Sequence, residues 1–213
     1  MQSEQHDFVF KVIFEGMHTV GKSSTTQRYV EGSFLSGDAR ATIGGDLRHK
    51  TVIYDDKAIK LQLWDSQGGE RFKSVTKIAY RGCNGILLMY DVTNMMSFEI
   101  AERYAADIQE FAPSNCQSIL LGNKIDKEEA RKVSFAEGSK LAARLVIPFF
   151  EISAKTGFGV EQALNELISR MIKASEGKIE KKDTRALEDV KGSENIQKLK
   201  QDYKTESKSR SCL

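Results

Sequence analysis

Eight residues near the start of the chain, Gly16-Met17-His18-Thr19-Val20-Gly21-Lys22-Ser23, have types and spacing suited to holding phosphate: G-x-x-x-x-G-K-[ST]. The two glycines let the backbone bend so that successive N–H groups converge on one anion. A helix opening at Lys22 adds unpaired N–H groups and a partial positive charge. Lys22 can reach the outer phosphates, and the Ser23 hydroxyl is an oxygen ligand of the kind Mg²⁺ prefers. A glycine turn between strand and helix has the same outline, so the loop gains meaning only from companion groups elsewhere in the chain. Three such groups recur in order: Asp65-Ser66-Gln67-Gly68-Gly69-Glu70, Asn123-Lys124-Ile125-Asp126 and Ser153-Ala154-Lys155. Each alone is a common solvated turn. Here each comes directly after a strand-like run, where a parallel sheet gathers ligand groups beyond the carboxyl ends of its strands.

The elements that must position these groups are legible as short apolar runs alternating with helical patterns, which predicts an α/β fold. Strands are predicted over 8–15, 47–54, 58–65, 85–91, 118–122 and 149–152, and helices over 22–31, 96–111, 135–145 and 160–174. Ile86-Leu87-Leu88-Met89-Tyr90 is apolar throughout, as a strand covered on both faces requires, whereas Leu61-Gln62-Leu63-Trp64 alternates. Asp55-Asp56 predicts a hairpin turn between the second and third strands. Ser134-Phe135-Ala136-Glu137 is a capping box. Val160, Ala163, Leu164, Leu167, Ile168 and Met171 recur at helical spacing and are assigned to the core. Residues 1–7 read as a flexible leader and 8–174 as the folded domain. Residues 175–213 are dense in Lys, Glu, Ser and Asp and read as a mobile tail, with a transient helix across 186–199.

Bulk properties narrow the class. The length of 213 residues suits one domain with an appendage. The net charge of +2 gives no sign of a nucleic-acid partner. Cys83, Cys116 and Cys212 lie far apart, with no C-x-x-C pair and no zinc spacing; such a set reads as the reduced thiols of an intracellular protein. The polar start has no signal-peptide core. No apolar run is long enough to span a bilayer, so membrane contact is expected to be peripheral.

With the four motifs in this order, the chain from Lys11 to about Lys173 resembles the Ras superfamily of small GTPases, and within it the Rab family. The stretches that carry the likeness are Ala41-Thr42-Ile43-Gly44, Trp64-Asp65, Glu70-Arg71-Phe72-Lys73-Ser74-Val75-Thr76, Tyr80-Arg81-Gly82 and Leu88-Met89-Tyr90-Asp91-Val92-Thr93-Asn94. The resemblance implies the P-loop G-domain fold: a mixed, mostly parallel six-stranded sheet flanked by helices on both faces. It implies GTP and GDP as ligands and Mg²⁺ as cofactor, with slow turnover of GTP to GDP and phosphate.

Residue roles come from that likeness together with chemistry. Gly16, His18, Thr19, Val20, Gly21, Lys22, Ser23 and Ser24 are expected to surround the phosphates. The Asp126 carboxylate can accept two hydrogen bonds from guanine, which adenine does not offer, and a buried unpaired carboxylate would cost several kcal/mol, roughly. Lys124 is expected to lay its stem over the base, Asn123 to tie this loop to the P-loop, the Ala154 N–H of Ser153-Ala154-Lys155 to meet the guanine O6, and Lys155 to support the base from the other side. Ser23 and Thr42 would ligate Mg²⁺, with Asp65 acting through a water. The N–H groups of Thr42 and Gly68 would meet the γ-phosphate, so that two segments are held with GTP and relax with GDP. Phe34 either stacks near the base or ribose or is an ordinary aromatic.

The departures from the family cluster in the catalytic parts. Gly69 stands where the family places the Gln that orients the attacking water. Gln67 carries the amide two positions early and is a candidate substitute. His18 replaces a small P-loop residue and would crowd the γ-phosphate. These changes are either tolerated drift or the cause of slowed hydrolysis. Leu47 and Gly45 replace the usual Phe and Val, and Ala79 replaces a Tyr, so of the expected effector-facing aromatics only Trp64 survives. Ala39 replaces a tyrosine that covers the nucleotide. The chain ends Cys212-Leu213, with one cysteine where Rabs carry two; single geranylgeranylation of Cys212, helped by Lys204, Lys208 and Arg210, is weighed against an unmodified thiol.

The resulting expectation is a Rab-like GTP/GDP switch in vesicle trafficking, cytoplasmic and cycling to the cytosolic face of an endomembrane. Its partners would be GTP-state effectors (through the Leu47, Trp64 and Ala79 surface), an exchange factor, a GTPase-activating protein, a GDP-dissociation inhibitor and a membrane reached by the lipidated tail. The alternative is a scaffold permanently loaded with GTP. A small-molecule phosphotransferase is disfavoured by the Asn123–Asp126 and Ser153–Lys155 groups.

Overall fold

A computed structural model describes residues 6–34, 46–65 and 80–191, with side chains as far as 177. Ala39, Thr42, Gly45, Gln67, Gly68, Gly69, Ala79 and Cys212 lie outside the described residues, and so do the expectations resting on them. In chain order the elements are β1 (Phe8–Glu15), α1 (Lys22–Glu31), β2 (Asp46–Tyr54), β3 (Lys57–Asp65), β4 (Gly85–Asp91), α2 (Met95–Phe111), β5 (Gln117–Asn123), a 3₁₀ segment (Ile125–Ala130), α3 (Phe135–Leu145), β6 (Phe149–Ile152) and α4 (Val160–Lys191). The chain divides into two units, Met1–Ile172 and Lys173–Leu213.

The six strands form one sheet in the order β2-β3-β1-β4-β5-β6. Only β2 and β3 pair antiparallel; the β1–β3, β1–β4, β4–β5 and β5–β6 pairs are all parallel. The apolar run of β4 is buried at every position, as a central strand with helices on both faces must be. Along β1 the side chains alternate between two cores. Phe10, Val12 and Phe14 join Tyr29 of α1 and the Val160-to-Met171 stripe of α4 on one face. Ile13 joins Ala101, Tyr104 and Ile108 of α2 and Leu141 of α3 on the other. Asp55 and Asp56 both take positive φ, 48° and 60°, the geometry of the tight hairpin turn that matches strand twist.

Boundaries differ from the sequence reading for identifiable reasons. β2 and β3 each gain a polar residue at the start because Asp46 pairs with Asp65 and Lys57 with Tyr54 through backbone alone. β5 extends to Gln117 and Asn123 by the same means, pairing with Gly85 and Asp91 of β4. α2 begins at Met95 because the Asn94 side chain accepts from the Ser97 N–H. α3 starts on the Ser134–Glu137 capping box. Asp7, placed in a flexible leader, instead exchanges hydrogen bonds with Ala58: its N–H donates to the Ala58 carbonyl at 2.8 Å and its carboxylate accepts the Ala58 N–H at 2.7 Å. The last helix does not stop at 174, where the mobile tail was expected; its backbone continues to Lys191. Residues 175–191 carry four Lys and three Glu and contain no proline, so local propensity sustains the helix where the apolar stripe no longer does.

Candidate functional site

Parallel pairing brings the carboxyl ends of β1, β3, β5 and β6 to one edge of the sheet, and the four motifs begin there. The P-loop leaves β1 at Gly16, whose φ is 149°; a Cβ there would collide with the Met89 carbonyl oxygen. Gly21 closes the loop at φ 101°, and a Cβ there would strike the Asn123 side chain. These two approaches are the reason the positions are glycine. Thr19, between them, is a β-branched residue held at φ 65°, a conformation that costs energy and is typical of loops shaped for a ligand.

Lys22 is buried at the start of α1, and its Nζ donates to the carbonyls of Gly16 at 2.9 Å and Met17 at 3.0 Å, so it spans the loop it belongs to. Burial pulls its pKa below the usual lysine value, and the nearby Asp65 and Glu15 carboxylates oppose that. Glu15 is 1% exposed, the last residue of β1 and next to the loop. It accepts from the Gly16 N–H at 3.2 Å and from the Tyr80 hydroxyl at 3.1 Å. Burial pushes its pKa up to about 7 despite those bonds.

Ser23 and Asp65 meet across α1 and β3, the Ser23 hydroxyl donating to Asp65 Oδ2. The other oxygen, Asp65 Oδ1, is buried and has no hydrogen-bond partner among the described residues. Burial raises the Asp65 pKa, against the Ser23 hydrogen bond and the Lys22 charge. A hydroxyl and a carboxylate with an unsatisfied oxygen are hard donors, and a small divalent cation that keeps most of its water suits them; the pair fits Mg²⁺.

Asn123 is the junction of the site. Buried at the end of β5, it donates from Nδ2 to the Val20 carbonyl of the P-loop at 2.8 Å. Its Oδ1 accepts the Lys124 N–H at 2.8 Å and the Ala154 N–H at 3.1 Å. One amide thereby joins three motifs that are far apart in sequence. Lys124 sits at φ 71°, and its Nζ reaches the Thr19 carbonyl at 2.7 Å and Asp91 Oδ2 at 2.7 Å, so the stem crosses from the β5 loop to the P-loop. Asp126 is exposed on the 3₁₀ segment and accepts from the Ser153 hydroxyl at 2.6 Å, which aims its carboxylate. Ser153 is itself buried and accepts the Thr156 N–H at 3.1 Å. The Ala154 N–H, expected at a base oxygen, is held by Asn123 here, so a ligand would share or displace that acceptor. Lys155, His18, Thr19 and Ser23 are exposed, and Ser24 and Phe34 are half-buried.

Two arginines that the motifs did not single out brace this edge. Arg28, on α1, donates from Nε to the Ala154 carbonyl at 2.9 Å and from Nη2 to the Lys155 carbonyl at 2.6 Å. Arg131, just past the 3₁₀ segment, grips the Glu151 carboxylate of β6 with two bonds, at 2.7 and 2.9 Å, and also pairs with Glu128. It links the turn carrying Asp126 to the strand leading to Ser153; those bonds raise its pKa, the Glu151 contact most. Nothing local in sequence marks either residue, because each acts on a segment distant along the chain. Farther along the sheet, Leu47 and Trp64 stand opposite each other on the β2–β3 ladder, 38% and 37% exposed.

Comparison with known proteins agrees with this geometry. The Ras family model matches residues 11–173. The chain is 42% identical over 173 residues to Ras-related protein Rab-26 of Homo sapiens, covering 79% of this chain and 68% of that protein. It is 42% identical over 166 residues to Ras-related protein Rab-26 of Bos taurus, covering 78% and 65%. Against GTP-binding protein Rab-3D of Rattus norvegicus it is 42% identical over 165 residues, covering 78% and 75%. The match thus spans about two thirds to three quarters of the relatives' own length. A six-stranded mixed sheet, a P-loop at its carboxyl edge and relatives at this identity lead to one conclusion: the chain belongs to the Ras family of small GTPases, enzymes that hydrolyse GTP, on its Rab branch.

Proposed function

We propose that this protein is a Rab-like GTP/GDP switch in vesicle trafficking whose intrinsic hydrolysis is slow. The observation that carries the binding reading is the Asn123 junction, which fixes the P-loop, the Asn123–Asp126 turn and the Ser153–Lys155 loop in one frame. In this reading Gly16 to Ser24 wrap the phosphates with backbone N–H groups, and Lys22 exchanges the Gly16 and Met17 carbonyls for phosphate oxygens. Asp126, aimed by Ser153, accepts from guanine, and covering by the base turns its accessible carboxylate into a buried one that must be paired. The Ala154 N–H turns from Asn123 to the guanine O6, the Lys124 stem lies over the base, and Lys155 supports it from the other side. Ser23 and Asp65 hold Mg²⁺ together with Thr42, Asp65 through a water. Mg²⁺ bound there neutralises phosphate charge.

Thr42 and Gly68 report the third phosphate, and partners that read the held form bind one state. The exposed Leu47–Trp64 pair supplies apolar surface for such effectors, and Ala79, outside the described residues, is the third position expected in it. An exchange factor, an activating protein and a GDP-dissociation inhibitor complete the cycle. No helix of the described residues is long and apolar enough to cross a membrane. A geranylgeranyl group on Cys212 carries the membrane attachment, and the protein cycles between cytoplasm and the cytosolic face of an endomembrane.

Slow hydrolysis rests on Gly69, which has no side chain to orient water, and on His18, which is exposed at the P-loop. The same two residues, with Gln67, favour a second reading in which the protein stays loaded with GTP and acts as a scaffold. Single-turnover hydrolysis of purified, GTP-loaded protein is expected below about 10⁻⁴ s⁻¹, with Gly69→Gln faster. A rate at or above that scale refutes the slow reading and makes Gln67 the working amide. Nucleotide content of protein taken from cells separates the switch (GDP and GTP) from the scaffold (GTP alone), and competition by ATP at the affinity of GTP overturns the guanine site.

A further inference from the structure

We propose that Cys83 and Cys116 are an oxidant-responsive dithiol, a modification site at the amino-terminal edge of the sheet that peroxide converts to an intramolecular disulfide. The two residues are 33 positions apart, yet their Sγ atoms lie 3.2 Å from each other. Backbone alone brings them together. Cys83 lies two residues before the start of β4 and Cys116 immediately precedes β5, and the first residues of those strands, Gly85 and Gln117, are ladder partners. The Gln117 N–H donates to the Asn84 carbonyl at 2.9 Å, the Cys83 N–H to the Tyr80 carbonyl at 3.2 Å and the Cys116 N–H to the Pro113 carbonyl at 2.8 Å. Lys11 of β1 closes the third side, its N–H on Asn84 Oδ1 at 2.9 Å and its Nζ on the Arg81 carbonyl at 3.0 Å. The pair is thus set by sheet register, and no ligand is needed to assemble it.

The chemistry is asymmetric. Cys83 is buried and Cys116 half-buried. The Cys116 S–H and the Lys11 charge favour the Cys83 thiolate and lower its pKa, while the same contact and burial push Cys116 up. With the Cys116 thiol in contact at 3.2 Å and the Lys11 charge acting on it, Cys83 is assigned as the nucleophile. It attacks one oxygen of hydrogen peroxide, the O–O bond breaks, and Cys83 becomes a sulfenic acid as hydroxide leaves and takes up the proton that the Cys83 thiol released. Cys116 sulfur then attacks Cys83 Sγ; the S–S bond forms, the S–O bond breaks, and the departing hydroxide takes the Cys116 proton as water. In sum two thiols lose two electrons and two protons, and one peroxide becomes two waters. Closing the contact to a bond length of about 2 Å takes a sulfur movement of about 1 Å, within reach of side-chain rotation at the strand ends. In a reducing compartment such a bond is transient, the behaviour of a redox sensor rather than of a structural staple.

The test uses the full GDP-loaded chain, titrated with hydrogen peroxide, alkylated, digested and mapped by mass spectrometry. The expected product is a Cys83–Cys116 peptide pair lighter by two hydrogens, formed independently of protein concentration and reversed by dithiothreitol. Its formation should raise Tm by several degrees, because the closed loop encloses β4 and α2. GDP affinity should not change, since the bond lies at the opposite edge from the P-loop. Cys116→Ser should abolish the pair and leave a dimedone-trappable sulfenic acid on Cys83; Cys83→Ser should abolish both. Free thiols at Cys83 and Cys116 at peroxide doses that oxidise the tail Cys212, or links that run only to Cys212 or between chains, overturn the proposal. Should Cys83→Ser not fold, the Cys116→Ser result and the parent peptide map still decide it.

Discussion

The two edges of this sheet differ in what holds them. At the carboxyl edge, side chains tie segments together: Asn123 reaches Val20 and Ala154, Lys124 reaches Thr19 and Asp91, and Arg28 reaches Ala154 and Lys155. Backbone strain at Thr19 and a buried Glu15 sit in the same place. At the amino edge, around Cys83 and Cys116, the ties are mostly main-chain hydrogen bonds set by register. Asp55 and Asp56 take positive φ there in the β2–β3 turn, a conformation aspartate tolerates, and the β-branched Val146 sits at φ 57° past the end of α3, its side chain 87% exposed. The contrast teaches that stability has been given up where ligand groups converge. The strain at Val146 serves no contact of this kind.

The largest expected effect tests that concession at Glu15. Its carboxyl titrates near 7 in the fold against an ordinary 4.5. Below 4.5 both folded and unfolded chains are protonated and there is no penalty. Between 4.5 and 7 the unfolded chain ionises first, so stability falls as pH rises, and above 7 the penalty is complete. Glu15→Gln should be more stable than the parent by up to about 3 kcal/mol above about pH 7, the gap closing below about pH 4.5. Denaturant melts of GDP-loaded protein across that range measure it, and a gap that grows on acidification contradicts the assignment.

A smaller effect is expected at Arg28. Removing its fork frees the Ala154 and Lys155 carbonyls, and Arg28→Ala should release GDP about tenfold faster, equivalent to about 1.4 kcal/mol. Arg28→Lys should recover little of this, because an ammonium cannot serve both carbonyls in the same plane. Stopped-flow release of a fluorescent GDP reports it; an unchanged rate would mean that the carboxyl edge does not depend on that brace.

The smallest is Val146→Asn, which replaces a β-branched residue by one that tolerates the left-handed conformation at a helix end; a gain of about 1 kcal/mol with unchanged GDP affinity is expected from melts and calorimetry. A loss of affinity would join the two edges and break the comparison.

Much of the site is readable in the sequence, for a local reason. Glycines that must bend, a lysine and serine directly after them, and an Asn-Lys-x-Asp turn act through spacing within a few residues, so Gly16, Gly21, Lys22, Ser23 and Asn123 can be named from sequence. The Ser134–Glu137 cap and the Val160-to-Met171 stripe are legible in the same way. Arg28, Arg131 and Glu15 are not, because their partners, Ala154, Glu151 and Tyr80, are distant along the chain. The helix beyond 174 escapes a pattern-based reading because its composition lacks an apolar stripe while its propensity remains helical.

Sequence by itself determined the order of strands and helices and the glycine-bounded loop after β1, since period, turn chemistry and short motifs are properties of neighbours. Tertiary structure decided which distant residues share a place: the Asn123 junction, the buried Glu15 with Tyr80, and two cysteines that look unrelated in the chain but touch at the amino edge. The physical reason is register. Parallel pairing of β4 with β5 fixes, by backbone hydrogen bonds, which residues at the strand ends become neighbours, and no local pattern encodes that distance.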